Sequence, residues 1–253
     1  MIYRHEQGAF VARDPLARAD AMNLAAAGLG LVLLQVDYQG SDLRPKSDAE
    51  LLAEDEAARA AGLEVWWWAF VRQDDDPRPP RPGFRPRRPG GVDALRRRLA
   101  ELAAIDLPHP AVFVANCEVD TQTPGGWPAG RPRLDTVAEA ARAAGHAVVG
   151  LSSHGLVGSR WPIEAFDFGL PQLYSGPAVT AAWARMCMRT WGRCPGILPT
   201  LGCADAKSTA EVMRLDVRGV RAAGAVGVTW WTERQLRGVK LRAAASAVPG
   251  DRA

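Results

Sequence analysis

A chain of 253 residues, 47% of them hydrophobic, is long enough for one large α/β domain or two small ones, with a sizeable core. Its net charge of +3 is spread through many predicted helices and does not point to nucleic acid as a partner. No stretch approaches the ~20 apolar residues of a membrane span, so a membrane partner is not expected. The opening Met1-Ile2-Tyr3-Arg4-His5-Glu6 does not read as a secretion signal. Synthesis in the cytosol is expected, and action outside the cell requires lysis or assembly into a particle.

Apolar runs predict eight strands along the chain: Gly8–Arg13, Gly30–Tyr38, Glu64–Val71, Ala111–Glu118, Ala147–Ser152, Phe168–Tyr174, Gly196–Gly202 and Ala225–Trp231. Helical periodicity fills most of the gaps, most clearly over Asp48–Ala61, Val92–Ile105, Leu134–Ala144, Ala178–Trp191 and Ser208–Ala223. A local pattern recurs at four junctions. Ala26-Ala27-Gly28, Ala60-Ala61-Gly62, Ala143-Ala144-Gly145 and Ala222-Ala223-Gly224 each precede an apolar run. Each reads as a helix closed by a left-handed glycine, with a buried strand soon after.

Strands that alternate with helices imply a parallel sheet, and eight such units match a (β/α)8 TIM barrel. An open doubly wound sheet is the rival, but no glycine-rich phosphate loop follows an early strand. The link His154–Asp167 is too short for a full helix, so the barrel is expected to be irregular around strands five and six. The expected domain is a single barrel over 1–241, followed by a flexible tail over 242–253. Residues 74–91 form a Pro/Arg-rich loop on the C-terminal face, because so much proline excludes helix and central strand. That loop reads either as a solvated excursion or as a basic lip for an anionic polymer or a protein partner.

Strand alternation then selects side chains that share a face. Val112, Val114, Asn116, Glu118 and Asp120 point one way, apolar first and polar at the C-terminal end. The same switch places Gln35 and Asp37 on strand two, Ser152 and His154 on strand five, Gln172 and Tyr174 on strand six, and Trp230 on strand eight. Such residues line a cleft with carboxylates at its floor and aromatics around it. Sugar rings pack their C–H faces on Trp and Tyr while amides and carboxylates take their hydroxyls, which points to a polysaccharide. Glycosidic cleavage needs one protonated carboxyl group and a second acid as nucleophile or base. Glu118 is the candidate acid, since apolar surroundings raise a carboxyl pKa. Asp37 or Asp120 is the candidate partner. Two strand spacings put Asp37 roughly 9–10 Å from Glu118, which suits a water-mediated inverting pair. Asn116, Gln35, Gln172, Tyr174, Trp230 and His154 are the candidate substrate contacts.

No cofactor is expected. The four histidines show neither HxH nor HExxH spacing, so no metal ligands are assigned. The four cysteines, Cys117, Cys187, Cys194 and Cys203, form no CxxC pair and read as structural.

Three segments resemble the TIM-barrel glycoside hydrolases, in particular lysozyme-like barrels of phage and bacterial cell-wall enzymes. Asn116-Cys117-Glu118 resembles the Asp-x-Glu strand end of family 25 muramidases and chitinase-like families. Asp167-Phe168-Gly169-Leu170-Pro171-Gln172-Leu173-Tyr174 resembles a strand ending in a substrate-facing tyrosine. Gly227-Val228-Thr229-Trp230-Trp231 resembles a final strand with tryptophan at the sugar-binding floor. The resemblance implies hydrolysis of a β-1,4-linked amino-sugar polymer with Glu118 as proton donor, and a phage or prophage product. Asn116 departs from it, because an amide stands where the pattern has an acid. Hence the alternative: a barrel that binds glycan, or serves as a structural module of a larger assembly, without cleaving it.

Overall fold

The computed structural model describes residues 7–12, 15–39, 46–71, 91–105, 107–117, 134–156, 161–173, 179–203, 209–231, 236 and 238–246. The strands are β1 (Gln7–Val11), β2 (Leu31–Tyr38), β3 (Glu64–Phe70), β4 (Val112–Asn116), β5 (Val148–His154), β6 (Phe168–Gln172), β7 (Thr200–Gly202) and β8 (Val228–Trp231). The helices are α1 (Arg18–Ala26), α2 (Asp48–Ala60), α3 (Val92–Ala103), α4 (Leu134–Ala143), α5 (Ala181–Thr190), α6 (Ala210–Ala222) and α7 (Val239–Ser246). The strands pair in parallel in chain order, and β8 returns to β1 to close the barrel. This is the expected (β/α)8 TIM barrel.

The recurring glycines explain how each helix turns back into the sheet. Gly28, Gly62, Gly145 and Gly224 follow α1, α2, α4 and α6 with φ of 84°, 79°, 98° and 97°. After α2, Gly62 N–H donates to Arg59 O and Leu63 N–H donates to Ala58 O. That bond pair satisfies the last helical carbonyls, and only a residue without Cβ takes this φ at little cost. At the other end of α2, Ser47 Oγ accepts from Glu50 N–H at 3.3 Å, while Glu50 Oε2 accepts from Ser47 N–H at 2.7 Å. Two of the four orphan donors of the helix start are thereby satisfied.

Alternation along the strands splits the core into two layers. Phe10, Leu33, Trp66, Trp68, Val114 and Phe168 fill the barrel interior. Leu34, Trp67, Phe113, Leu151 and Trp230 pack outward, in the layer shared with the helices. Trp66-Trp67-Trp68 is thus divided, two rings inside and one outside. Gly150 leaves room for Phe168, whose ring tip lies 2.4 Å from where a Cβ would sit.

The elements differ from the sequence expectations in four places. First, β7 is confined to Thr200–Gly202, although pairing with β6 begins earlier. Leu198 N–H donates to Gly169 O and Gly169 N–H donates to Gly196 O, but Pro171, the next residue of β6 facing this pair, has no N–H to continue the ladder. Second, β8 starts at Val228 rather than Ala225, and Val226 is exposed. Third, β5 runs on to His154, two residues past the expected end at Ser152, before a link that carries a single 3-10 turn, Ile163–Ala165, in keeping with its expected shortness. Fourth, a seventh helix, α7, spans Val239–Ser246, where no helix was expected. Ala243 and Ala244 are small enough to bury there, and Gln7 Nε2 donates to Ala244 O at 2.9 Å. The Pro/Arg segment from 72 to 90 and the last residues from 247 lie outside the described residues.

Candidate functional site

The inward face of β4 begins with Val112 and Val114 in the interior layer and ends at Asn116, which is fully buried. Gln172 at the end of β6 donates through Nε2 to Asn116 Oδ1 at 3.0 Å and to Ser152 Oγ at 3.3 Å. One amide therefore ties three successive strands together at the C-terminal mouth. Next in order, Thr200 on β7 and Thr229 on β8 share a hydroxyl hydrogen bond of 2.8 Å. His154 is level with Gln172 and half-buried, and its Nδ1 faces Leu156 N–H at a long 3.4 Å. This half of the mouth is built from neutral amides and hydroxyls, which donate and accept without carrying charge.

The opposite half is aromatic. Tyr38 at the end of β2 stacks on Phe70 of β3, with ring centroids 4.7 Å apart and planes 13° apart. Below them Trp68 packs edge-on against Trp231 at 5.2 Å and Phe10 at 5.4 Å. Trp68 Nε1 donates to Val11 O at 3.1 Å, so its polar atom is satisfied. Tyr38, Phe70 and Trp231 are half-buried against the interior layer. Gln35, level with Trp68, is a buried polar group on this side.

Two sequence expectations change. Trp230 is fully buried in the outer layer, and its Nε1 donates to Gln7 Oε1 at 3.1 Å. The register aligns it with outward Ala9 and aligns Trp231 with inward Phe10. The inward tryptophan of β8 is therefore Trp231. On β2 the ladder slips between Gln35 and Asp37, so Asp37 comes level with Ala69 of the outer layer and Tyr38 level with Phe70. Asp37 is buried, and one of its own carboxylate oxygens accepts from Tyr38 N–H at 2.9 Å. The slip removes it from the row of Leu33 and Gln35. Asn116, Gln35, Gln172 and Ser152 lie where alternation predicts. Glu118, Asp120 and Tyr174 lie outside the described residues.

Tyr38, Phe70 and Trp231 escaped the sequence reading. Thr229, a polar residue inside an apolar strand, was the available signal for Trp231. Counting inward from Thr229 selects Trp231. Nothing in the residues of β2 announces the slip that selects Tyr38.

Among the described residues, no group of three or more His, Cys, Asp or Glu side chains could hold a metal ion. The four cysteines are buried, and burial pushes the thiol of Cys187 up to about 11 and that of Cys194 up to about 12. Cys187 and Cys194 are thus held as thiols rather than nucleophilic thiolates. Elsewhere, burial raises the carboxyl pKa of Asp216 to about 6 and lowers the imidazole pKa of His146 to about 4. No described helix is long and apolar enough to cross a membrane.

Solved structures share this architecture end to end. A GH113 β-1,4-mannanase superposes with a TM-score of 0.63 at 12% identity, covering 96% of this chain and 97% of its own. A class V chitinase from Pseudomonas fluorescens Pf-5 gives 0.60 at 13% identity, covering 96% and 99%. A family 5 glycoside hydrolase from Prevotella bryantii, solved with a xyloglucan tetradecasaccharide, gives 0.52 at 10% identity, covering 93% and 87%. The chain shares its fold with TIM-barrel glycoside hydrolases. No protein-family model matches it, and no curated protein sequence does.

Proposed function

We propose that this barrel binds a polysaccharide at its C-terminal mouth and hydrolyses it by carboxylate chemistry. The observation that carries the reading is the two-sided mouth. A sugar ring is amphiphilic, with apolar C–H faces and a polar hydroxyl rim. Half-buried rings of Tyr38, Phe70 and Trp231 gather on one side, while the mutually bonded polar groups of Asn116, Ser152 and Gln172 gather on the other. The shared fold with a β-1,4-mannanase, a chitinase and a xyloglucan-bound hydrolase supports the same class of ligand. A β-1,4-linked polymer is the preferred substrate. A cell-wall amino-sugar polymer is the narrower choice and is carried by the sequence resemblance alone.

Glu118 is the proposed general acid. It follows the inward Asn116 by two residues, the spacing at which side chains of an extended strand share a face, and glycosidic cleavage needs such an acid. Asp120 is the preferred second carboxylate, because the slip in β2 sets Asp37 level with the outer layer. The test is release of reducing ends from mannan, xyloglucan, chitin and peptidoglycan by wild type and by Glu118→Gln. Wild type should release sugar from at least one polymer, and Glu118→Gln should lose at least ~100-fold, the usual contribution of a general acid. Equal release by both proteins removes Glu118 from the mechanism.

A second reading has its own observation. The inward polar groups Gln35, Asn116, Ser152 and Gln172 are neutral and partly bonded to one another. That chemistry suits a barrel that holds a glycan without cleaving it, with the Pro/Arg segment as the docking element of a larger assembly. Binding to the same polymers without release of reducing ends favours this reading.

A further inference from the structure

We propose that Arg98 is a positioning residue for the mouth: it holds the bulge in β2 that presents Tyr38, rather than Asp37, to the barrel interior. Regular alternation from Leu33 and Gln35 would carry Asp37 inward and Tyr38 outward. Instead Val36 is an extra residue, buried in the outer layer, and the register resumes with Asp37 opposite Ala69 and Tyr38 opposite Phe70. An extra residue leaves the ladder locally, and its buried carbonyl then needs another donor.

Arg98, buried on α3, supplies that donor. Its Nε donates to Val36 O at 3.1 Å, its Nη2 to Lys46 O at 3.2 Å and its Nη1 to Glu101 Oε2 at 3.2 Å. The planar guanidinium thus ties the bulge to the chain entering α2, a three-way geometry that a lysine ammonium on its flexible stem reproduces poorly. A second tie lies just beyond Tyr38. Gln39 Nε2 donates to Gly91 O at 3.1 Å, and Gly91 N–H donates to Gln39 Oε1 at 2.7 Å. Tyr38 is therefore bracketed, two residues before and one residue after, by bonds to α3 and its N-cap. Its stack on Phe70 is the readable consequence. The specificity of the aromatic half is set from outside the barrel, by a helix residue behind the sheet.

The chain has three tyrosines, Tyr3, Tyr38 and Tyr174, so fluorotyrosine-labelled protein gives three fluorine NMR signals. Tyr38→Phe assigns the relevant one. In Arg98→Met the Tyr38 signal should move from its stacked position toward that of free fluorotyrosine. In Arg98→Lys it should move part of the way. Arg96→Met removes an exposed arginine that pairs with Asp93 on the same helix, and should leave the signal in place. Deleting Val36 removes the extra residue, so Arg98→Met added to that deletion should no longer move Tyr38.

A binding arm rests on the carbohydrate reading. The Kd for whichever of chitohexaose and mannohexaose binds wild type should rise about tenfold in Arg98→Met, the worth of one aromatic stacking contact. An unmoved Tyr38 signal in folded Arg98→Met overturns the proposal. If that variant does not fold, an unmoved signal in Arg98→Lys overturns it. A moved signal in a protein that binds neither sugar supports the role of Arg98 and counts against the carbohydrate reading instead.

Discussion

Trp67 and His146 each bury one ring nitrogen without a hydrogen-bond partner. His146 Nδ1 lies 2.9 Å from Pro110 O, which can only accept, so Nδ1 carries the proton and Nε2 is left as an unmatched lone pair. His109 lies against the same ring at 4.2 Å, and Trp67 and Phe113 complete the apolar surround at 5.5 Å and 5.2 Å. Burial, and then the neighbouring His109, lower the pKa of His146 from 6.5 to about 4. The unfolded chain therefore binds a proton near pH 6.5 that the folded chain refuses until about pH 4. The stability this neutral histidine contributes is complete above pH 6.5 and is lost as pH falls toward 4, on the order of 2 kcal/mol between pH 7 and pH 5. Urea denaturation at both pH values should show a smaller loss in His146→Gln than in wild type. An equal loss would remove His146 as the source. At this scale the sequence is hardest to read. Trp230 and Trp231 are adjacent and chemically identical, and only the register against Ala9 and Phe10 decides which one faces the mouth.

Whole elements were more legible because their signals are local. The glycines at 28, 62, 145 and 224 mark helix ends, and the structure gives all four the left-handed φ their position requires. Long-range fit is less legible, and α6 shows why. Asp216 and Gly219, three residues apart on one helix face, both seat the chain entering α5. Asp216 Oδ1 accepts from Val179 N–H at 2.6 Å, and a Cβ on Gly219 would lie 2.0 Å from Val179 O. In an isolated helix, glycine to alanine stabilises by about 0.5–1 kcal/mol. Here the methyl group must push α5 and α6 apart. Gly219→Ala should therefore destabilise by about 2 kcal/mol, in the range of overpacked cores, as read from the urea midpoint. An unchanged or higher midpoint would show that the two elements are not held at this contact. The bulge in β2 is illegible for the same reason. Its cause, Arg98, sits 62 residues from Val36 on another element.

At the scale of the molecule, the eight-unit rhythm predicts the closed barrel, and closure decides what each strand end can do. Parallel strands of a barrel bring their C-terminal ends to one rim, so residues from β2, β3 and β8 meet as an aromatic wall and residues from β4, β5 and β6 meet as an amide and hydroxyl wall. The polar wall was readable because β4 and β6 keep unbroken alternation through Asn116 and Gln172. The aromatic wall was readable in kind but not in residue, because a slip in β2 changed its inward set and only the register against β1 selects Trp231 over Trp230 on β8. Under the proposed function the two walls together grip a sugar chain. Isothermal titration of wild type, Trp231→Ala and Gln172→Leu with chitohexaose and mannohexaose tests it most directly. Saturable binding of at least one sugar by wild type is expected, weakened about tenfold by each substitution. Wild type that binds neither sugar, or variants that bind as tightly as wild type, would contradict the claim.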